Sequence, residues 1–210
     1  MNKIELNQHL NFVLQPNGEL QIILYGCFAE GIVKKMDVKG DDLPAIVQLF
    51  VDSIKERILD KDDYSVIPLS TADERSKCFY EYDLDVPEEL EALETIIGND
   101  QLDVFDFNDD ALSDIQALII VIADNNHVIS LYKKLSSVEV IGRGSYLFWK
   151  ANHRIERFNN QLLRVSGNFQ LVRVENRIII LDVELNKKCF GFHDVIKREA
   201  AIGLNAIEEM

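Results

Sequence analysis

Few residue combinations in this chain could carry catalysis. The run RIIILDVELNKK, residues 177–188, places Asp182 and Glu184 on a strand-like stretch with Lys187 and Lys188 just beyond. Two carboxylates and a lysine can hold Mg²⁺ and activate water for phosphodiester hydrolysis. That arrangement needs Glu-x-Lys, whereas the interval here is Glu-x-x-Lys. In an extended strand the added residue turns the lysine to the opposite face, so a solvated strand end is the competing reading. The other signatures fail outright. Gly142 and Gly144 are followed by Tyr146 and Leu147, which denies a dinucleotide fingerprint its third glycine. His9, His127, His153 and His193 are scattered singly, and no Gly-x-Ser-x-Gly elbow or His-Glu-x-x-His helix occurs. No catalytic residue, metal ligand or cofactor is expected.

Binding chemistry is better represented. LFWKANHRIERF, residues 147–158, sets Lys150, His153, Arg154 and Arg157 among the single Trp, two Phe and an Ile, in a chain of net charge -14. Cations on short strands can neutralise phosphates while rings and aliphatic stems pack beneath them, and aromatic faces can stack on unpaired bases. The charge is unevenly spread. Residues 1–129 carry 9 Lys+Arg against 27 Asp+Glu, whereas residues 130–210 carry 13 against 9. Within 133–173 eight basic residues, including Lys133 and Lys134, meet only Glu139 and Glu156. Such asymmetry points to a polyanionic partner. Arg143, Lys150, Arg154, Arg157, Arg164 and Arg173 are therefore the candidate nucleic-acid contacts. The opposite extreme is 73–114, with fifteen acidic residues against Arg75 and Lys77. Its solvated, helix-capping carboxylates have a local explanation, and Glu88, Glu89 and Glu91 are the candidate docking positions for a protein partner.

The elements that must position these residues read as α+β, with mainly antiparallel strands, hairpins and three principal helices. NFVLQ and ELQIILYGCF flank Pro16-Asn17-Gly18 as a hairpin, and a short strand follows within 31–38. Asp41 and Asp42 offer caps for an amphipathic helix over 43–59, with Pro44 in its first turn. YSVIPL and CFYEYDL read as strands, and DVFDFNDD as a loop. A second helix opens at Asp85 and Pro87 and stops at Gly98. IQALIIVIA and VISLYKKL form a pair turned at Asp124-Asn125-Asn126, the first buried on both faces. SYLFWK, QLLRVS, FQLVRV and RIIILDVEL are strands, the last two joined through Glu175-Asn176. A third helix, about 192–208, carries Ile196, Ala200, Leu204 and Ile207 on one stripe that runs to the last residue, so a longer natural protein is expected. Two regions result: an acidic α+β region, 1–129, and a basic strand-rich region, 130–210.

MNKIELNQHL lacks a basic stretch followed by an apolar core, and ALIIVIA is far shorter than the roughly 18–20 residues of a membrane span. A cytoplasmic location is expected. Cys27, Cys78 and Cys189 are odd in number and widely spaced, which predicts buried reduced thiols.

Residues 73–94, ADERSKCFYEYDLDVPEELEAL, together with Tyr-Lys-Lys-Leu near 132 and the order QLLRVSGNFQLVRVENRIIILD then FGFHDVIKREAA, make the sequence resemble the KwaB family. This family is the soluble component of the bacterial Kiwa anti-phage system. The features are diffuse but recur in order across most of the chain. The sequence departs from the family at Phe192-His193, where an acidic residue often follows the Phe. What the resemblance implies is a homodimer that binds DNA with little sequence preference, associates with the membrane-embedded partner KwaA and obstructs phage replication and late transcription. It supplies no catalytic residues; the six basic positions rest on charge clustering. An adaptor that docks a basic partner through its acidic half is the alternative, and a metal-dependent nuclease the third reading.

Overall fold

The computed structural model describes residues 1–71, 76–83, 88–96, 102–136, 139–141, 147–151, 154–158 and 162–182. Its centre is an eight-stranded sheet. In chain order these strands are β1 (Gln21–Cys27), β2 (Val33–Met36), β3 (Ser65–Pro68), β4 (Cys78–Glu81), β5 (Ala117–Ala123), β6 (Val128–Lys134), β11 (Leu171–Val174) and β12 (Arg177–Ile180). Four shorter strands come between β6 and β11: β7 (Val140–Ile141), β8 (Leu147–Ala151), β9 (Arg154–Phe158) and β10 (Leu162–Leu163). Across the large sheet the order is β2-β1-β5-β6-β11-β12-β4-β3. Every pairing is antiparallel except β3 with β4. Strands from either side of residue 129 thus share one hydrogen-bonded surface.

Period-two alternation divides the apolar residues between the faces. Met36, Leu24, Ile120, Leu131, Val172 and Ile179 stand directly opposite one another from strand to strand. This row packs under α1 (Lys3–Leu10) and α2 (Leu43–Ile54) through Leu6, Leu10, Phe50 and Ile54. The other face presents Cys27, Ile119, Tyr132, Leu171 and Ile180, covered by Leu90, Ala92 and Leu93 of α3 (Glu88–Thr95). ALIIVIA, in β5, is buried on both faces as expected, because both of its neighbours and both helical layers enclose it. Cys27 is buried and free and Cys78 is half-buried and free; Cys189 lies outside the described residues.

Three readings need correction. The N-terminal hairpin does not form. Residues 3–10 are helical, closed by a reciprocal cap in which Asn2 accepts from the Glu5 N–H and Glu5 accepts from the Asn2 N–H. NFVLQ begins as a short 3₁₀ turn, Asn11–Val13. Gly18 adopts φ 98° as the turn signal requires, yet that signal dictates only local backbone geometry, and β1 pairs with β2 and β5 instead. Second, α2 follows a 3₁₀ turn and lacks a side-chain cap, and the last five residues of the expected helix, Lys55–Leu59, form a π-helical turn after it. Third, QLLRVS contributes only the two residues of β10. Two of the three expected helices, α2 and α3, are present, and 192–208 lies outside the described residues.

Candidate nucleic-acid interface

β6 ends in a buried polar clasp. Lys133 belongs to the same alternating series as Ile129 and Leu131, so its stem enters the apolar face that α1 and α2 cover. The residue is 1% exposed. Its ammonium donates to Glu139 Oε1 at 2.6 Å, Ser166 Oγ at 2.8 Å and the Asn168 carbonyl at 3.0 Å, which uses all three protons. Glu139 is equally occupied. Ser166 Oγ donates to Oε1 at 3.0 Å, while the Ser136 N–H and hydroxyl donate to Oε2 at 3.0 and 2.9 Å. Burial by itself would raise the Glu139 carboxyl, but its bonds from Lys133 and Ser136 overcome that cost and hold it at about 2.

The clasp closes the neck of an arm. Val140 and Ile141 pair with Leu163 and Leu162, and the Arg164 N–H donates to the Glu139 carbonyl at 2.7 Å. On the return, the chain is fastened to the C-terminal half of α2 and its π turn. Ser53 Oγ donates to the Gly167 carbonyl at 2.5 Å, and Arg57 Nη1 donates to the Phe169 carbonyl at 2.6 Å with its guanidinium 4.9 Å from the Phe169 ring centre. The approach at Gly167 is close: a Cβ there would sit 3.1 Å from Ser53 Cβ and 3.3 Å from the Leu49 carbonyl oxygen. Beyond the neck, β8 and β9 form a two-stranded sheet separate from the large one.

The LFWKANHRIERF segment is this hairpin. Its register sets Phe148 opposite Arg157, Lys150 opposite Ile155 and Ala151 opposite Arg154. Arg154 and Arg157 both belong to β9, three positions apart. Arg164 follows β10 and is exposed. Arg173 is placed differently, on β11 beneath α3. Its guanidinium donates to the Leu93 carbonyl at 3.1 Å and approaches Asn176 Oδ1 at 3.5 Å, so it satisfies a carbonyl in the last turn of α3. Arg143 lies outside the described residues. Lys133, counted in the basic stretch by sequence, is internal and contributes nothing to a solvent-facing patch. The signal was available: a lysine in register with Ile129 and Leu131 must be buried, and hence paired.

Glu88, Glu89 and Glu91 fall in α3, on the sheet face opposite the clasp. Other carboxylates of the acidic run have local partners. Asp110 pairs with Lys34 at 2.6 Å, Asp106 accepts from the Asn108 N–H at 2.8 Å, and Asp83 accepts from the Ser70 N–H at 2.9 Å. Asp182 is exposed and acts electrostatically on Arg57. Its proposed companions Glu184, Lys187 and Lys188 lie outside the described residues, as do His153 and His193. Among the described residues no group of three or more His, Cys, Asp or Glu side chains could hold a metal ion. No helix among them is long and apolar enough to cross a membrane.

A sequence profile of the Kiwa protein KwaB-like family matches residues 112–210, the stretch that contains β5, β6, the clasp and the whole arm. The Kiwa protein KwaB of Escherichia coli O55:H7 (strain RM12579 / EPEC) is 25% identical over 182 residues. That alignment covers 84% of this chain. Both matches make the chain similar to KwaB-like proteins. It spans 58% of the length of this curated relative. No solved structure matches it. The matched residues include the basic arm, its neck and the sheet strands on either side.

Proposed function

We propose that this KwaB-like chain is a component of a Kiwa anti-phage defence system that binds DNA through the arm between β6 and β11, with little sequence preference. The observation that supports this reading is the mounting of the basic hairpin. Residues 142–164 carry Arg143, Lys150, Arg154, Arg157 and Arg164 against Glu156 alone. The neck of that stretch is fastened to the sheet by the Lys133–Glu139 clasp and to α2 by Ser53 and Arg57. A net charge of -14 opposes DNA at long range. Local attraction must therefore come from a segment held clear of the acidic residues, and the sheet separates the clasp from the acidic helix α3. Phosphate contacts without base readout give sequence-tolerant affinity that obstructs enzymes tracking along DNA. Action as a homodimer in the cytoplasm, with a membrane-embedded KwaA-like partner that draws it to the inner membrane, belongs to the same proposal through the resemblance.

The test is fluorescence anisotropy of labelled duplex and single-stranded DNA at several salt concentrations, beside a variant with Arg154, Arg157 and Arg164 changed to Glu. Salt-sensitive binding that the variant loses supports the reading. Absence of binding by the unmodified chain at low salt overturns it. The competing reading, docking of a basic protein through Glu88, Glu89 and Glu91, predicts that charge reversal there abolishes partner capture and leaves DNA binding intact.

A further inference from the structure

Where β1 ends and β5 begins, under the edge of α3, there is a cavity of about 240 Å³. Cys27, Tyr132 and Ala92 form its buried floor; Phe28, Glu30, Gly31, Gln116 and Lys134 complete its walls. The volume lies below the roughly 300–1,000 Å³ of pockets for drug-sized ligands, which suits a small metabolite.

Lys134 is the informative residue. It is half-buried, yet no carboxylate among the described residues lies within ion-pair distance of its ammonium, in a chain with 36 acidic residues against 22 basic ones. Its neighbour Lys133 has every proton satisfied. The backbone N–H of Lys134 donates to Gln170 Oε1 at 2.8 Å. The ammonium stands close enough to the Cys27 thiol to act on it, although burial dominates and pushes that thiol up to about 12, which leaves it a neutral floor and no nucleophile. A second feature lies on the rim. Glu30 and Gly31 both adopt left-handed backbone, at φ 60° and 71°. For Glu30, which has a Cβ, that conformation is strained and persists only where the surroundings enforce it. The Glu30 carboxylate and the Gln116 amide add one anionic and one neutral polar group to the walls.

We infer that this cavity binds a small oxyanion, a carboxylate or phosphate carried by a metabolite, with Lys134 as its counter-ion. Gln116 offers the ligand a neutral hydrogen-bonding group, and Glu30 favours a ligand that also bears a cationic or N–H donor group. The site lies on the α3 face of the sheet, opposite the face into which Lys133 points.

The full chain, in a buffer of low anion content, is titrated with inorganic phosphate, AMP, acetate and citrate by calorimetry and thermal melting, in parallel with Lys134→Met. Met keeps the apolar stem and removes the charge. At least one probe binds the unmodified chain and raises its melting temperature, and Lys134→Met weakens that binding about tenfold or more. In ligand-free protein the same substitution raises the melting temperature, because it removes a half-buried charge that has no ion-pair partner among the described residues. Response to phosphate and AMP alone assigns a phosphorylated ligand; response to the acids alone assigns a carboxylate. Three results would each overturn the inference: no probe binds, binding is unchanged in Lys134→Met, or that variant is less stable without ligand, which would mean that the ammonium already has a protein partner.

Discussion

Lys133 Nζ lies 2.6 Å from Glu139 Oε1 inside the apolar face of the sheet, and this pair joins the end of β6 to the neck of the basic arm. A buried pair gains little over an apolar replacement, but removal of one member leaves an uncompensated charge. Glu139→Ala should therefore cost about 3–5 kcal/mol of unfolding free energy in urea melts. Lys133→Met should cost less, since Glu139 keeps its bonds from Ser136 and Ser166. A larger loss for Lys133→Met than for Glu139→Ala would contradict this account.

The same carboxylate sets an acid limit. Glu139 is held at about 2 in the folded chain against an ordinary value of 4.5. A depressed folded pKa means that the unfolded chain binds the proton more readily, so the stabilisation is complete above about pH 5 and is lost as pH falls toward 2. Asp124 acts in the same direction. Burial opposes its ionisation, but N–H groups of Asn17, Asn126 and His127 prevail and hold it at about 2. Urea melts between pH 2 and 6 should show stability rising with pH, and Glu139→Gln should flatten that slope without abolishing it, because Asp124 remains.

Gly167 tests the attachment to α2. Its Cβ position is 3.1 Å from Ser53 Cβ and 3.3 Å from a backbone oxygen that cannot rotate away. Overpacking of this kind costs roughly 1–3 kcal/mol. Gly167→Ala should lower the melting temperature in thermal melts.

Much of the sheet was legible because its strands carry strict period-two patterns. Ile129, Leu131 and Lys133 share one parity, Tyr132 and Ser130 the other, and the register follows. What sequence could not supply was pairing over distance. ELQIILYGCF looks like the second strand of a local hairpin, yet β1 finds β5 nearly a hundred residues later, because the apolar faces match there and NFVLQ already belongs to the helical N-terminus. The site shows the same division. Charge clustering identified the arm, but the separation of Arg173 and Lys133 from it depends on which face each strand position meets, and on α3 lying over one face only.

Arg173 and Arg164 consequently give opposite results when truncated. Arg173 donates to the Leu93 carbonyl in the last turn of α3, a charge-assisted bond to a helix end. Arg173→Ala should lower stability by about 1 kcal/mol. Any effect on DNA affinity should track that loss. Arg164 is exposed beside the neck, so Arg164→Ala should leave melting unchanged within about 0.5 kcal/mol. If Arg164 contacts a phosphate, its removal should weaken duplex binding and reduce the log-log salt slope by about 1, from a total of roughly -4.5 for about five neutralised phosphates. Matched melts and salt titrations on the two variants separate a residue that holds α3 to the sheet from one proposed to meet nucleic acid. An unchanged slope in Arg164→Ala would remove that position from the interface.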